Sequence, residues 1–201
     1  PNLQSQTATT LEGGWRGRWD RFTWDAAIYY SWVQDELLSL RDATGASLGA
    51  VNADSTRHFG VELGLAAQIT ERVSARIAYT YQDFRFQNDP VRGNNLLGGV
   101  PRNVVDGVLA VQATDALRVA AAVRWLPTRT PADNMNTLWA DPYAVVDLRA
   151  DYRINEIFSL YGQVTNLFDK TYASSTLVVD QATPGQAVYL PGDGLAFYAG
   201  I

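Results

Sequence analysis

The side chains able to do chemistry in this chain are few, and their spacing narrows the choices. There is no cysteine and one histidine, His58. That excludes disulfides, thiolate metal sites and cysteine nucleophiles, and leaves little room for an imidazole cluster. Only Ser55 and Thr56 lie near His58 in sequence, and a hydrolytic relay needs a nucleophile within reach of its base. No catalytic residue, metal site or cofactor is expected, and His58 reads as decoration where a loop meets a strand. Two groups of polar side chains fit ligand capture better. Arg92, Asn94 and Asn95 fall in one long polar stretch, and Arg129, Asp133, Asn134, Asn136 and Trp139 in the next. Arginine suits anionic groups and tryptophan suits flat rings. Taken singly, each is an ordinary solvated loop residue.

The elements that must carry these residues are announced by composition. At 201 residues the chain is long enough for one sizeable domain. Hydrophobic residues make up 47% and charged residues 18%, against about a quarter charged in a typical soluble domain. With Tyr 10, Phe 7 and Trp 6 the chain is rich in aromatics. A mean hydropathy of -0.14 argues against packed membrane helices, and no run approaches the ~18 apolar residues of a spanning helix. The net charge of -5 argues against nucleic acid as a partner. The opening Pro1-Asn2-Leu3-Gln4 has neither the basic start nor the apolar core of a signal peptide. The chain is therefore expected to be either cytoplasmic or an internal piece of something longer. Composition alone fits a transmembrane β-barrel and a soluble β-sandwich equally.

Alternation of apolar and polar residues with period two marks half-buried strands, and nine segments show it. They begin at Ala8, Phe22, Val61, Val73, Val105, Arg118, Tyr143, Phe158 and Leu195. The second is the clearest, with Phe22, Trp24, Ala26, Ile28, Tyr30 and Trp32 in strict alternation. In the fourth, Phe84 and Phe86 break the phase, so a bulge or the start of a loop is expected there. Turns of two or three residues, at Asp20-Arg21, Thr70-Glu71-Arg72, Asp115-Ala116 and Asn155-Glu156, alternate with long polar stretches. Those stretches run over Arg41 to Thr56, Gln87 to Asn103, Pro127 to Pro142 and Asp169 to Leu190. A sandwich has no reason to keep that rhythm. A membrane barrel does, because one rim carries tight turns and the other carries long outer loops. An all-β, transmembrane antiparallel β-barrel is the expectation, with Ile201 on the periplasmic side. Glu62, Arg76, Asp106, Arg124, Asp147, Arg149 and Asp151 share the polar phase and are expected to face a wet lumen. Nine is an odd number, and an open sheet leaves unpaired edges that lipid does not tolerate, so further strands are expected before Pro1.

The stretch Val164-Thr165-Asn166-Leu167-Phe168-Asp169-Lys170-Thr171-Tyr172 resembles the penultimate-strand signature of TonB-dependent outer-membrane receptors, of the siderophore-receptor type. Asn166, Leu167, Phe168, Asp169, Lys170 and Tyr172 carry the match. Asn52-Ala53 leading to Gly60-Val61-Glu62-Leu63, Val100-Pro101-Arg102-Asn103, Tyr143-Ala144-Val145-Val146-Asp147-Leu148-Arg149 and Pro191-Gly192 before Phe197-Tyr198 are similar to other stretches of that family. Two features depart from it: Asp193-Gly194 replaces a basic residue after Pro-Gly, and no terminal aromatic follows Ile201. The resemblance implies that residues 1–201 are the C-terminal portion of a plugged barrel of about 22 strands, without its plug or early strands. It implies active uptake of a scarce ligand, a ferric siderophore or other iron chelate, across the Gram-negative outer membrane. The partners would be outer-membrane lipid and TonB, the latter through an N-terminal region outside this chain. A passive porin or structural barrel is the alternative reading. A membrane hydrolase and a soluble carbohydrate-binding sandwich fit less of the chain.

Overall fold

The computed structural model describes residues 3–42 and 46–201, and the described residues form strands and turns with no helix. The strands are β1 (Thr7–Trp19), β2 (Phe22–Arg41), β3 (Ser47–Gln68), β4 (Val73–Phe86), β5 (Asn103–Gln112), β6 (Leu117–Leu126), β7 (Thr130–Pro131), β8 (Trp139–Ala140), β9 (Tyr143–Arg153), β10 (Ser159–Thr165), β11 (Ala173–Thr176), β12 (Tyr189–Pro191) and β13 (Ala196–Gly200). Nine of them make one sheet in the order β1-β2-β3-β4-β5-β6-β9-β10-β13, so every strand pairs with its neighbours along the chain. All the pairings are antiparallel. The short pairs β7–β8 and β11–β12 lie inside two of the long connections. Nine segments expected from alternation are nine strands, and the sheet is an open, partial barrel wall with β1 and β13 at its edges.

Register assigns each residue to a face. Leu65 lies opposite Ile77, Ile77 opposite Gly107, Gly107 opposite Val123 and Val123 opposite Val146. This row crosses five strands with only apolar or small residues. In the middle of it Ile77 is 50% exposed, and Leu63 and Ile28 nearby are exposed to a similar degree. Residues this apolar are left uncovered only where lipid or a partner covers them. The buried apolar clusters lie elsewhere. Ala53, Phe86 and Leu97 form one, Val104, Leu126 and Tyr143 a second, and Ala132, Val179 and Val188 a third. All three sit at the ends of strands or in the long connections, so the middle of the sheet covers no dry core. On the reverse face, Arg18 of β1 and Arg118 of β6 line one hollow of about 800 Å³. Strands that far apart in the sheet share a hollow only if this face curves inward.

Three expectations are corrected. The polar stretch from Arg41 to Thr56 is not a loop: β2 and β3 pair from Phe22–Ala67 out to Arg41–Ser47, which leaves only residues 42–46 as the connection. Of these, residues 43–45 lie outside the described residues. Of the two expectations at Phe84 and Phe86, the bulge is corrected, because β4 pairs with β3 without a shift as far as Phe86–Thr56, while the start of a loop holds directly beyond Phe86, where β4 ends. Both phenylalanines keep the inward phase, and Phe86 is fully buried against Leu97. His58 is within β3, not at a loop junction. Its ring stacks on Phe84 at 4.3 Å, and Nε2 lies 3.2 Å from the Thr56 hydroxyl and 3.3 Å from the Glu36 carboxylate. Thr56 donates its hydroxyl hydrogen to the same carboxylate.

The two faces have different tolerance for charge. In the full-length protein, Ile77→Arg should cost about 2–4 kcal/mol in denaturant unfolding from lipid vesicles, as for arginine at a barrel's lipid midplane. Ala78→Arg, one residue on and facing the hollow side, should cost about 0.5 kcal/mol or less. Equal costs would contradict the assignment of faces.

Candidate functional site

The end of the sheet that carries the long connections holds most of the candidate residues. The path of the last connection is set where β10 stops. Asn166 adopts φ 49°, which turns the chain out of the strand, and it is 2% exposed. Its backbone N–H donates to the Asp147 carboxylate at 2.8 Å. Its side-chain amide donates to the carbonyls of Lys170 and Asp193, each at 2.9 Å, and its Oδ1 accepts the Lys170 N–H at 2.8 Å. Asp169, also left-handed at φ 47°, accepts the Leu195 N–H at 3.0 Å. Tyr172 packs on Tyr143 with ring centroids 4.5 Å apart, and its ring lies so close over Gly192 that any Cβ there would overlap it. Asn166, Asp169 and Tyr172 thus clamp the two ends of the connection from 166 to 195, while Phe168 is exposed. Of the signature residues, Asn166, Asp169 and Tyr172 hold the fold of this loop through their side chains, while Leu167 and Lys170 take part through backbone groups.

A second network ties the connections to one another. Arg92, 9% exposed, donates through Nε and Nη2 to Asp180 at 2.5 and 2.8 Å and lies 3.3 Å from Asp89. Asp133, fully buried, accepts the N–H groups of Thr137 and Ala182 at 2.8 Å each, the Thr137 hydroxyl at 2.5 Å and the Leu138 N–H at 3.3 Å. Asn134 accepts the Gly98 N–H at 3.0 Å, and Asn95 donates to the Asn134 carbonyl at 3.2 Å. Asn136 exchanges two bonds with the backbone of Leu96, at 2.9 and 2.8 Å. Arg92, Asn95, Asp133, Asn134 and Asn136 therefore spend their polar atoms on neighbouring loops. Asn94 pairs with Asn88 at the surface, and Arg129 is an exposed partner of Asp141 at 3.4 Å. Burial pushes the Asp89 carboxyl up, but the N–H groups of Arg92 and Val91 and the Arg92 guanidinium outweigh it and hold it below the usual carboxylate range.

Trp139 lies where a ligand can reach it. It shares a hollow of about 370 Å³ with Asp141, Tyr143, Lys170, Tyr172 and Tyr189. The Tyr189 hydroxyl donates to the Trp139 carbonyl at 2.9 Å, and the Trp139 indole N–H donates to the Asn136 carbonyl at 3.0 Å, which fixes the ring. Burial raises the Tyr189 and Tyr172 phenols, and nearby carboxylates add to this, so both stay protonated donors at neutral pH. Sequence reasoning found Trp139 and missed the three tyrosines. The signal available was aromatic residues at or just beyond strand ends, next to the loops. Tyr143 and Tyr172 also line a second hollow of about 400 Å³, with Asp106, Arg124 and Asp147.

The seven residues of the polar phase share the inward-curving face. Arg124 lies 3.7 Å from Asp106. Arg149 pairs with Asp151 at 2.7 Å and covers the Tyr161 ring at 4.5 Å. Asp147 holds Asn166, and Glu62 and Arg76 line a smaller hollow with Asp25.

Residues 1–167 match the family described as TonB dependent receptor-like, beta-barrel. The chain belongs to that family, whose barrels are outer-membrane proteins. It is 24% identical over 200 residues to a protein of Acinetobacter baumannii named as a probable TonB-dependent siderophore receptor, PiuA, covering 92% of this chain and 26% of the relative. It is 22% identical over 201 residues to the vitamin B12 transporter BtuB of Vibrio vulnificus, covering 100% of this chain and 30% of the relative. The crystal structure of the ferric yersiniabactin uptake receptor FyuA from Yersinia pestis superposes with a TM-score of 0.79 at 22% identity, over 96% of this chain and 29% of that one. The chain thus spans about 26–30% of the length of these relatives.

Two measurements check the networks in the full-length protein. Asn166→Ala should lower stability by about 2–3 kcal/mol, since it strips a buried turn of three hydrogen bonds, and limited proteolysis should then cut within 167–195 first. The lowered Asp89 carboxyl contributes stability above the ordinary aspartate value of about 3.9. That contribution is lost as pH falls through the still lower folded value. The protection factors of the Val91 and Arg92 amides, corrected for intrinsic exchange, should therefore fall below about pH 4, and Asp89→Asn should remove the dependence.

Proposed function

We propose that this chain forms part of the barrel wall and outer loops of a receptor that takes up a scarce ligand across the outer membrane. The ligand class we favour is a ferric siderophore or other iron chelate. Membership of the TonB-dependent receptor family and likeness to named siderophore receptors support uptake as the role, which is transport rather than catalysis. The observation that carries the ligand class is the hollow of Trp139, Tyr143, Tyr172 and Tyr189 between the last two long connections, with Lys170 and the Arg129–Asp141 pair at its edge. Flat aromatic rings stack on planar chelating groups, and a cation at the edge suits their negative charge. The seven polar-phase residues face the lumen in this reading, and the connection-bearing end faces outward with Ile201 toward the periplasm. TonB and the plug act through segments outside this chain, and lipid covers the Ile77 face.

The test uses the full-length receptor. Ferric complexes of a tris-catechol and a tris-hydroxamate chelator, with cobalamin as a third probe, are titrated while tryptophan fluorescence is followed. Trp139→Ala combined with Tyr189→Ala should weaken the bound probe by about 2 kcal/mol, roughly thirtyfold. Uptake in cells should stop when a protonophore collapses the inner-membrane gradient. Steady open conductance of the full-length protein in a planar bilayer, with uptake indifferent to the protonophore, would instead favour a passive pore.

A further inference from the structure

The outward apolar face ends abruptly at its loop end, and what replaces it is a group of arginines. Trp32, Phe59 and Tyr81 are the last aromatic residues in the outward phase of β2, β3 and β4. The Phe59 and Tyr81 rings meet edge to face at 6.1 Å. Two residues further out in the same phase stand Arg57 and Asp83, and two beyond Asp83 stands Arg85, with Arg57 opposite both Trp32 and Arg85. Arg102, just before β5, reaches onto the same patch. Its Nη2 donates to the Tyr81 hydroxyl at 3.0 Å and lies 3.3 Å from Asp83. Arg85 Nε bridges both Asp83 oxygens at 2.9 and 3.0 Å, while Arg57 stays 3.7 Å away. Three guanidiniums thus share one carboxylate, leaving two positive charges unmatched. The next carboxylates along these strands, Asp35 and Asp54, form no ion pair with them among the described residues.

The cluster also has unused donors. Nε of Arg57 and Nε of Arg102 are buried with no hydrogen-bond partner. A buried donor left without a partner is unfavourable, and an acceptor that reaches these two would relieve it. Guanidinium forks match phosphate oxygens in pairs. The position of the cluster selects the source of the phosphate. It lies on the lipid side of the wall, immediately beyond the aromatic rim where headgroups begin, and not in the lumen or among the loops. We propose that Arg57, Arg85 and Arg102 form a binding site for the phosphate of a membrane glycolipid headgroup in the outer leaflet. The site rests on the loop end facing outward and is independent of what the receptor carries through its lumen.

The test uses the full-length protein, delipidated in neutral detergent and mixed with diphosphoryl lipid A, phosphatidylglycerol or phosphatidylcholine, with retained lipid counted by native mass spectrometry. Heat-modifiable gel mobility confirms folding. The native protein should retain lipid A in preference to both phospholipids, and the Arg57→Gln, Arg85→Gln, Arg102→Gln triple variant should retain it at least tenfold less. Asp83→Asn keeps all three guanidiniums and removes the competing carboxylate, so it should retain lipid A at least as well as the native protein. Equal retention by the native protein and the triple variant, or loss of retention in Asp83→Asn, overturns the site. Preference for phosphatidylglycerol overturns the outer-leaflet assignment. Binding of inorganic phosphate alone, with no lipid A retained, reduces the cluster to a soluble-anion site and overturns the lipid assignment.

Discussion

A strand crossing hydrocarbon must find a partner for every backbone N–H and C=O from another strand, because no water is there to supply one. That constraint orders this chain more strictly than any side-chain preference. It makes each strand pair with its neighbour in sequence, it keeps the register unbroken from Phe22–Ala67 to Gln34–Ser55 and from Gln68–Ser74 to Thr56–Phe86, and it pushes irregular backbone out to the ends. With the ladder fixed, the pleat sorts side chains into two populations. From Arg57 to Ala67 of β3, and along β4 and β5, odd-numbered residues face outward and even-numbered ones inward, whereas beyond the left-handed Asp35 of β2 the phase changes and Ala53 packs inward on Phe86.

The same constraint explains which parts of the fold could be read from residues alone. Where a strand crosses lipid its outward residues are apolar and its inward residues are polar or small, and the alternation of Phe22 to Trp32 or Val61 to Ile69 is plain. Beyond the aromatic rim both faces meet water or loop. Ser47 to Ser55 also pair with β2, with one register shift between Leu40 and Arg41, yet with no apolar phase they look like a polar loop. Phe84 and Phe86 mislead for the opposite reason. They are apolar on the inward face because His58 and Leu97 cover them, and apolar residues in the wrong phase look like a bulge.

The loop residues show a different limit. Arginine, asparagine and aspartate were sound candidates for holding a ligand, because they make directional polar bonds. Those properties equally suit them to hold neighbouring loops: Asp133, Asn134 and Asn136 hold backbone, and Arg92 holds the carboxylates of Asp180 and Asp89. A local signal was present: Asp133 has Thr137 four residues on, and Asp89 has Arg92 three residues on, spacings at which a carboxylate caps the backbone of its own turn. The rings around Trp139 come from three separate parts of the chain, and only folding brings them together.

Asp133 alone joins two connections by accepting hydrogen bonds from residues 137, 138 and 182. Val91, Asn94 and Arg129, on the outer surface of the loops, take no part in that fastening. Mutation at these three positions can thus change the outline of the loops while the backbone keeps its path. The surface of the loops is free to drift, and the internal carboxylate that shapes it is not.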